Sequence, residues 1–347
     1  MKSAITDFFT YMALTLNMKR ITIIIYLLIF SWRTEGQQIF ERYTLQTGMM
    51  KYGSGIQDTI PYGKKGYSIA LPANGQVIKG TVLILEDMPV NLRDSSKAPY
   101  IQIDKEACPK GFAVLYISTG IPIDLYFSKS SLQYVDMIMH EVFSQFHLPN
   151  KNIFLLGAMV SGHRALKYIE YCRMGLSRFN PNITGLVMSE SAIDWVRQWY
   201  ECQKQVRDSL SATGYFEGNL VSYLFKENLK TSPIVNIGPY IDFSGYSYFD
   251  VKMTKPKLYK DLSIRAYTYA DTRYWFSAQG HGVFDSNFPD MSGFINEQKL
   301  AGNKNAELIV FHSNPSDPLN TELRRQSLTW DLVDRAELID WMTRKMN

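Results

Sequence analysis

The 347-residue chain is 46% hydrophobic and 20% charged with a formal net charge of +4, the balance of a globular protein with room for one large α/β core. Its basic residues are scattered rather than clustered, so it carries no nucleic-acid footprint. Cys108, Cys172 and Cys202 lie far apart without Cys-x-x-Cys spacing, which offers no metal site; in an exported chain two of them could pair and leave one free.

In chain order, Met18-Lys19-Arg20 and the apolar run Ile21 to Phe30 have the basic start and short apolar core of a secretory signal. At about ten residues the run is too short to span a bilayer comfortably. Residues 1–36 are therefore expected to be a signal peptide, with Met18 the true start and Gly36-Gln37 the cleavage point; an uncleaved N-terminal anchor is the alternative. Export to the periplasm or beyond is implied, with no further membrane contact. Without those residues the net charge falls to +2, because four basic and two acidic side chains leave.

Residues 37 to 80 alternate polar and apolar positions between glycines, and Gly66 to Leu71 is the clearest strand there. Beyond them come short, almost wholly apolar runs, the pattern of strands covered on both faces. They are Thr81–Leu85, Phe112–Ile117, Ile153–Leu156, Ile183–Met188, Leu262–Thr268 and Ala306–Phe311. Helical spacing predicts helices at Ser130–Phe146, Gly162–Tyr171, Ser292–Ala301 and Leu332–Met346. Strands alternating with helices predict a mostly parallel central sheet flanked by helices. The aromatic-rich stretch 194–261 interrupts that rhythm and reads as an inserted cap within a single domain, 37–347.

The informative stretch is the third run together with the turn after it. Ile153–Leu156 leads into Gly157-Ala158-Met159-Val160-Ser161 and then a helix, which is the frame of a nucleophile elbow. In that frame Gly-x-Ser-x-Gly holds a serine hydroxyl at the top of a sheet; here the nucleophile position is Met159. A thioether has no proton to lose and negligible acyl-transfer ability.

From these residues the chain resembles a bacterial exported α/β-hydrolase family of serine esterases and peptidases, over roughly residues 80 to 345. The family has an acid in a Tyr-Thr-x-x-Asp-x-x-Trp-Trp-like stretch, matched here by Tyr267-Thr268-Tyr269-Ala270-Asp271-Thr272-Arg273-Tyr274-Trp275. It also has a His-Ser-Trp-Ser-Ile-Val-Asp-like stretch, matched by Leu328-Thr329-Trp330-Asp331-Leu332-Val333-Asp334. The resemblance implies an α/β-hydrolase fold in which Asp271 keeps the acid position. Met159 and Leu328 take the nucleophile and histidine positions, and neither supports triad chemistry. Leu85-Glu86-Asp87 stands where a glycine-rich turn would supply an oxyanion N–H, and two carboxylates there oppose a developing negative charge.

Displaced residues are the alternative route to activity: Ser161 or Ser189 as nucleophile, His312 as base, Glu190 or Asp194 as acid. His163 lies two residues from Ser161 on the same helix, where side chains do not face each other. His281 sits in a glycine loop, and His140 and His147 on or just past a helix. No phosphate loop, zincin helix or calcium loop is present, so neither a cofactor nor a metal is implied. The expected protein is a catalytically inactive hydrolase fold. Its cleft, lined by Trp195, Trp199, Tyr274 and Trp275, is expected to take a small ester-like, sugar or peptide ligand, or a protein partner. In a third reading Met159 and Leu328 pack together and fill the cleft.

Overall fold

Runs that are apolar at every position bury both faces, and here they form the centre of the sheet. The computed structural model describes residues 37–93, 101–209, 211–270, 282–312 and 329–346. Its strands are β1 (Gln38–Leu45), β2 (Met49–Lys51), β3 (Thr59–Pro61), β4 (Lys64–Leu71), β5 (Gly80–Glu86), β6 (Phe112–Ser118), β7 (Ile153–Ala158), β8 (Ile183–Ser189), β9 (Ser263–Tyr269) and β10 (Ala306–Phe311). Eight of them make one sheet in the order β1-β4-β6-β5-β7-β8-β9-β10, while β2 and β3 pair separately. β1 and β4 are antiparallel to their neighbours, and every other pairing in the large sheet is parallel.

Alternation along each strand divides the core into two layers. Leu83, Leu85, Leu115, Ile117 and Leu155 face one side, where they meet α1 (Lys129–Gln145), α2 (Val160–Arg173) and a later helix. Val82, Ile84, Val114, Tyr116 and Phe154 face the other, against Ile103 and Ala107 and the C-terminal helix. Full burial of each such side chain contributes roughly 1.5–3 kcal/mol.

Between β8 and β9 the chain runs through α3 (Trp195–Asp208), α4 (Ala212–Leu229) and α5 (Gly238–Phe243), within the stretch read as a cap. Leu220 and Leu224 of α4 pack on Met50 of β2, with Ile60, Ile121 and Ile123 around them. Glu170 of α2 holds the far end of the insertion: it accepts from Tyr259 Oη at 2.7 Å and pairs with Lys255 at 3.3 Å.

α6 (Phe288–Leu300) and α7 (Arg335–Arg344) complete the helices. α6 starts earlier than Ser292, because Pro289 in its first turn needs no N–H partner. α7 starts later than Leu332, because Asp334 accepts a hydrogen bond from Glu337 N and so caps the helix there. The six buried runs became β5 to β10 with ends shifted by no more than one or two residues. All three cysteines are unpaired, so the pairing open to an exported chain is not formed. Among the described residues no helix is long and apolar enough to cross a membrane. The expected signal segment, 1–36, lies outside the described residues.

Candidate functional site

The turn from β7 into α2 is where sequence and geometry meet. Met159 has φ 50° and ψ −120°, a backbone region that costs a non-glycine residue on the order of 1–3 kcal/mol. Its amide donates to Ser189 O at 2.9 Å, and its side chain remains 52% exposed. Tight closure of the turn depends on two glycines. A Cβ at Gly157 would lie 2.4 Å from Gly162 N, and one at Gly162 would lie 2.0 Å from Ser191 Oγ. The second close-approach residue is thus Gly162, one position beyond the Ser161 that sequence spacing suggested. Ser161 has another task. Its buried hydroxyl accepts from Ala158 N at 2.8 Å and donates to Ala158 O at 3.0 Å, folding the helix start back onto the strand end.

His163, one turn along α2, is fully buried. Its Nδ1 accepts from Trp195 Nε1 at 2.9 Å, so the proton belongs on Nε2, which is buried without a hydrogen-bond partner among the described residues. Burial first, and then the charges of Lys167, Lys255 and Arg164, hold its pKa well below the ordinary range. Trp195 therefore sits elsewhere than expected. It is only 3% exposed, packed with Phe225 and Phe243 beneath the insertion and not on a cleft wall. The cause is Asp194, which caps α3 and turns the helix's first residue inward. Trp199 is partly buried at the edge of the same cluster and borders an outer groove with Ser222 and Lys226.

His312 comes directly after β10 and is exposed. Three strand spacings separate β10 from β7, or about 14 Å at ~4.8 Å each. Ser161 Oγ is engaged with Ala158 N and O rather than with a histidine. Ser189 is 1% exposed at the end of β8. Asp271, Tyr274, Trp275, His281 and Leu328 lie outside the described residues.

What the structure does gather are carboxylates. Glu190 comes directly after β8 with φ 44°, and its Oε1 accepts from Thr268 Oγ1 at 2.8 Å, from Thr329 Oγ1 at 3.0 Å and from Tyr269 N. Burial raises its pKa, and those three donors partly oppose the shift. A carboxylate at the end of the strand after the elbow is thereby tied to Thr329.

On the other flank, β5 and β7 run parallel with Leu83 beside Leu155, and continuing that register sets Glu86 level with Ala158. Arg164 of α2, 3% exposed, pairs with Asp87 at 3.1 Å and lies 3.9 Å from Glu86. It also donates to the carbonyls of Asp124 at 2.5 Å and Leu85 at 3.4 Å. Asp87 in turn accepts from Ile123 N at 2.9 Å. The turn after β5 is thus held by an ion cluster. Nothing in the sequence pattern marks Arg164 for this role beyond a charge placed within an apolar helix stripe.

No family model matches the chain, and no curated protein sequence matches it. Solved structures do. The acylaminoacyl peptidase of Pyrococcus horikoshii superposes with a TM-score of 0.52 at 10% identity, over 92% of this chain and 43% of the peptidase. An esterase of the bacterial hormone-sensitive lipase family gives 0.50 at 11% identity, over 87% and 85% of the two chains. Carboxyl esterase 2 of the fungus Tuber melanosporum gives 0.50 at 9% identity, over 91% and 88%.

The chain has the α/β-hydrolase fold.

In such a fold the residue after the central elbow strand performs nucleophilic attack, and the acid and base come after the later strands. In this α/β-hydrolase fold Met159 occupies the elbow and Glu190 the end of the next strand. The ion cluster of Glu86, Asp87 and Arg164 lies after β5, the strand that pairs with β7. The chain spans less than half of the peptidase it resembles, so that enzyme's activity does not transfer with the fold.

Proposed function

We propose that this protein binds a ligand or partner at a hydrolase-type site without cleaving it. One observation carries the reading: Met159 adopts the strained elbow conformation, with its thioether exposed where a nucleophilic hydroxyl would stand. A backbone strained in this way costs free energy, and its retention around an inert side chain argues for a site kept for its shape. The half-exposed Met159 favours an open cleft over one packed shut. Met88 and Leu332, also exposed, lie after β5 and before α7 at the same end of the sheet and suit an apolar or ester-like ligand. Leu328, read as the histidine position, completes the loss of proton transfer. The basic-then-apolar pattern of residues 18–30 supports export as part of this proposal.

Short-chain esters test it. The mature wild-type chain is expected to hydrolyse none above the buffer rate, whereas the double variant Met159→Ser, Leu328→His recovers measurable turnover because the frame around it is intact. Wild-type turnover would overturn the proposal; a folded but inert double variant would show that the cleft is lost along with the triad.

A further inference from the structure

A pocket of about 360 Å³ lies between the returning end of the insertion and α6, and no residue of the elbow lines it. Its walls are aromatic: Tyr246, Tyr248, Phe249 and Phe284 all line it. Tyr248 is 73% exposed and Phe284 71%. Large rings left this open beside a cavity are costly to hydrate, which marks a surface that gains from a bound partner.

The charges in the lining are unequal. Among the described residues it carries three carboxylates, Asp194, Asp290 and Glu297, and a single cation, Arg197. That guanidinium is fully engaged. It pairs with both oxygens of Asp290 and donates to Phe284 O at 2.7 Å and Asn287 Oδ1 at 3.1 Å. Asp194 and Asp290 are each about 1% exposed, so the floor of the pocket is built from fixed, buried groups. Asp194 accepts from Val196 N, Ser247 Oγ and Tyr248 N, all within 3.1 Å, which locks its carboxylate beside the Tyr248 wall. Burial first, and then the charges of Asp194, Glu297 and Asp290, raise the pKa of the Tyr246 phenol. Three carboxylates against one engaged guanidinium favour a cation in the same space.

Gly293 fixes the size of the pocket. A Cβ there would lie 2.3 Å from Tyr246 Oη, so only glycine lets that ring stand against α6.

We propose that this pocket binds a small organic ammonium ion, its charge set against Glu297 and its alkyl groups against the aromatic walls. Aromatic rings and a carboxylate together suit such an ion better than a bare metal cation. The rings replace the weak hydration of an alkylammonium through cation–π attraction, while a metal ion would demand converging oxygens. The inference is independent of the reading of the elbow.

Calorimetric titration of the mature chain at neutral pH tests it, with choline, with tetramethylammonium and with the uncharged isostere of choline in which carbon replaces nitrogen. Saturable binding of both cations is expected, with none of the isostere. Phe284→Ala and Glu297→Gln, both away from the core, are each expected to weaken binding about tenfold. Equal binding of the isostere would reduce the site to an apolar pocket and overturn the proposal. So would no saturation by either cation up to concentrations on the order of 10 mM, or unchanged affinity in both variants.

Discussion

Replacing Arg164 with methionine is expected to destabilise the fold by about 3–5 kcal/mol at slightly alkaline pH, the usual cost of removing one partner from a buried ionic cluster. The magnitude reflects the groups that the guanidinium leaves behind. Asp87 loses its 3.1 Å partner, Glu86 loses the cation that opposes its protonation, and the carbonyls of Asp124 and Leu85 lose a donor. Methionine fills much of the volume, so the loss reads as electrostatic rather than as a cavity. Urea unfolding monitored by circular dichroism measures it. A change below about 1 kcal/mol would mean that solvent screens the cluster as it does an exposed ion pair.

The second large effect has the opposite sign. Burial, opposed by Arg164 and reinforced by Asp87, pushes Glu86 from 4.5 to about 7. A carboxylate whose folded pKa is raised binds its proton more tightly in the native state. Between about pH 4.5 and 7, therefore, stability falls as pH rises, and above that window the whole contribution is lost. Glu86→Gln removes the ionisation, so above pH 7 the variant is expected to be more stable than wild type. A shift of this size corresponds to about 3 kcal/mol, a ceiling because the side chain is 19% exposed. Below about pH 4.5 the two proteins converge. Glu201, raised to about 7, and Asp194, raised to about 6, act in the same direction and remain in the variant, so its pH profile flattens without becoming level. Equal stability of the two chains at about pH 8 would contradict this assignment.

Both effects come from residues whose partnership no local pattern could reveal. Short runs such as Val82–Leu85 and Phe154–Leu156 were legible because a strand covered on both faces has no polar position to spare, and the elbow was legible because Gly157 ends such a run. Glu86 and Asp87 were legible only as a departure from an oxyanion turn. Their cation arrives from Arg164, almost eighty residues later, and only the β5–β7 pairing brings the two together. Trp195 illustrates a different limit. Aromatic residues after a strand suggested a cleft wall, but the Asp194 cap directs the ring onto His163. The small residue that spacing placed at Ser161 is needed at Gly162, because the turn into α2 makes its closest approach to the neighbouring β8 end one residue later, at Ser191. The pairing of Glu190 with Thr329 spans the chain from β8 to the approach to α7, and periodicity carries no information at that range.

The central claim is that the elbow is intact and inert, and reaction of the mature wild-type chain with a fluorophosphonate probe, read by intact mass, tests it most directly. With Met159 at the elbow, Ser161 bonded back to Ala158 and Ser189 buried, no adduct is expected at any serine. Stoichiometric labelling of one serine, mapped by peptide mass, would contradict that claim and restore this chain to the active hydrolases.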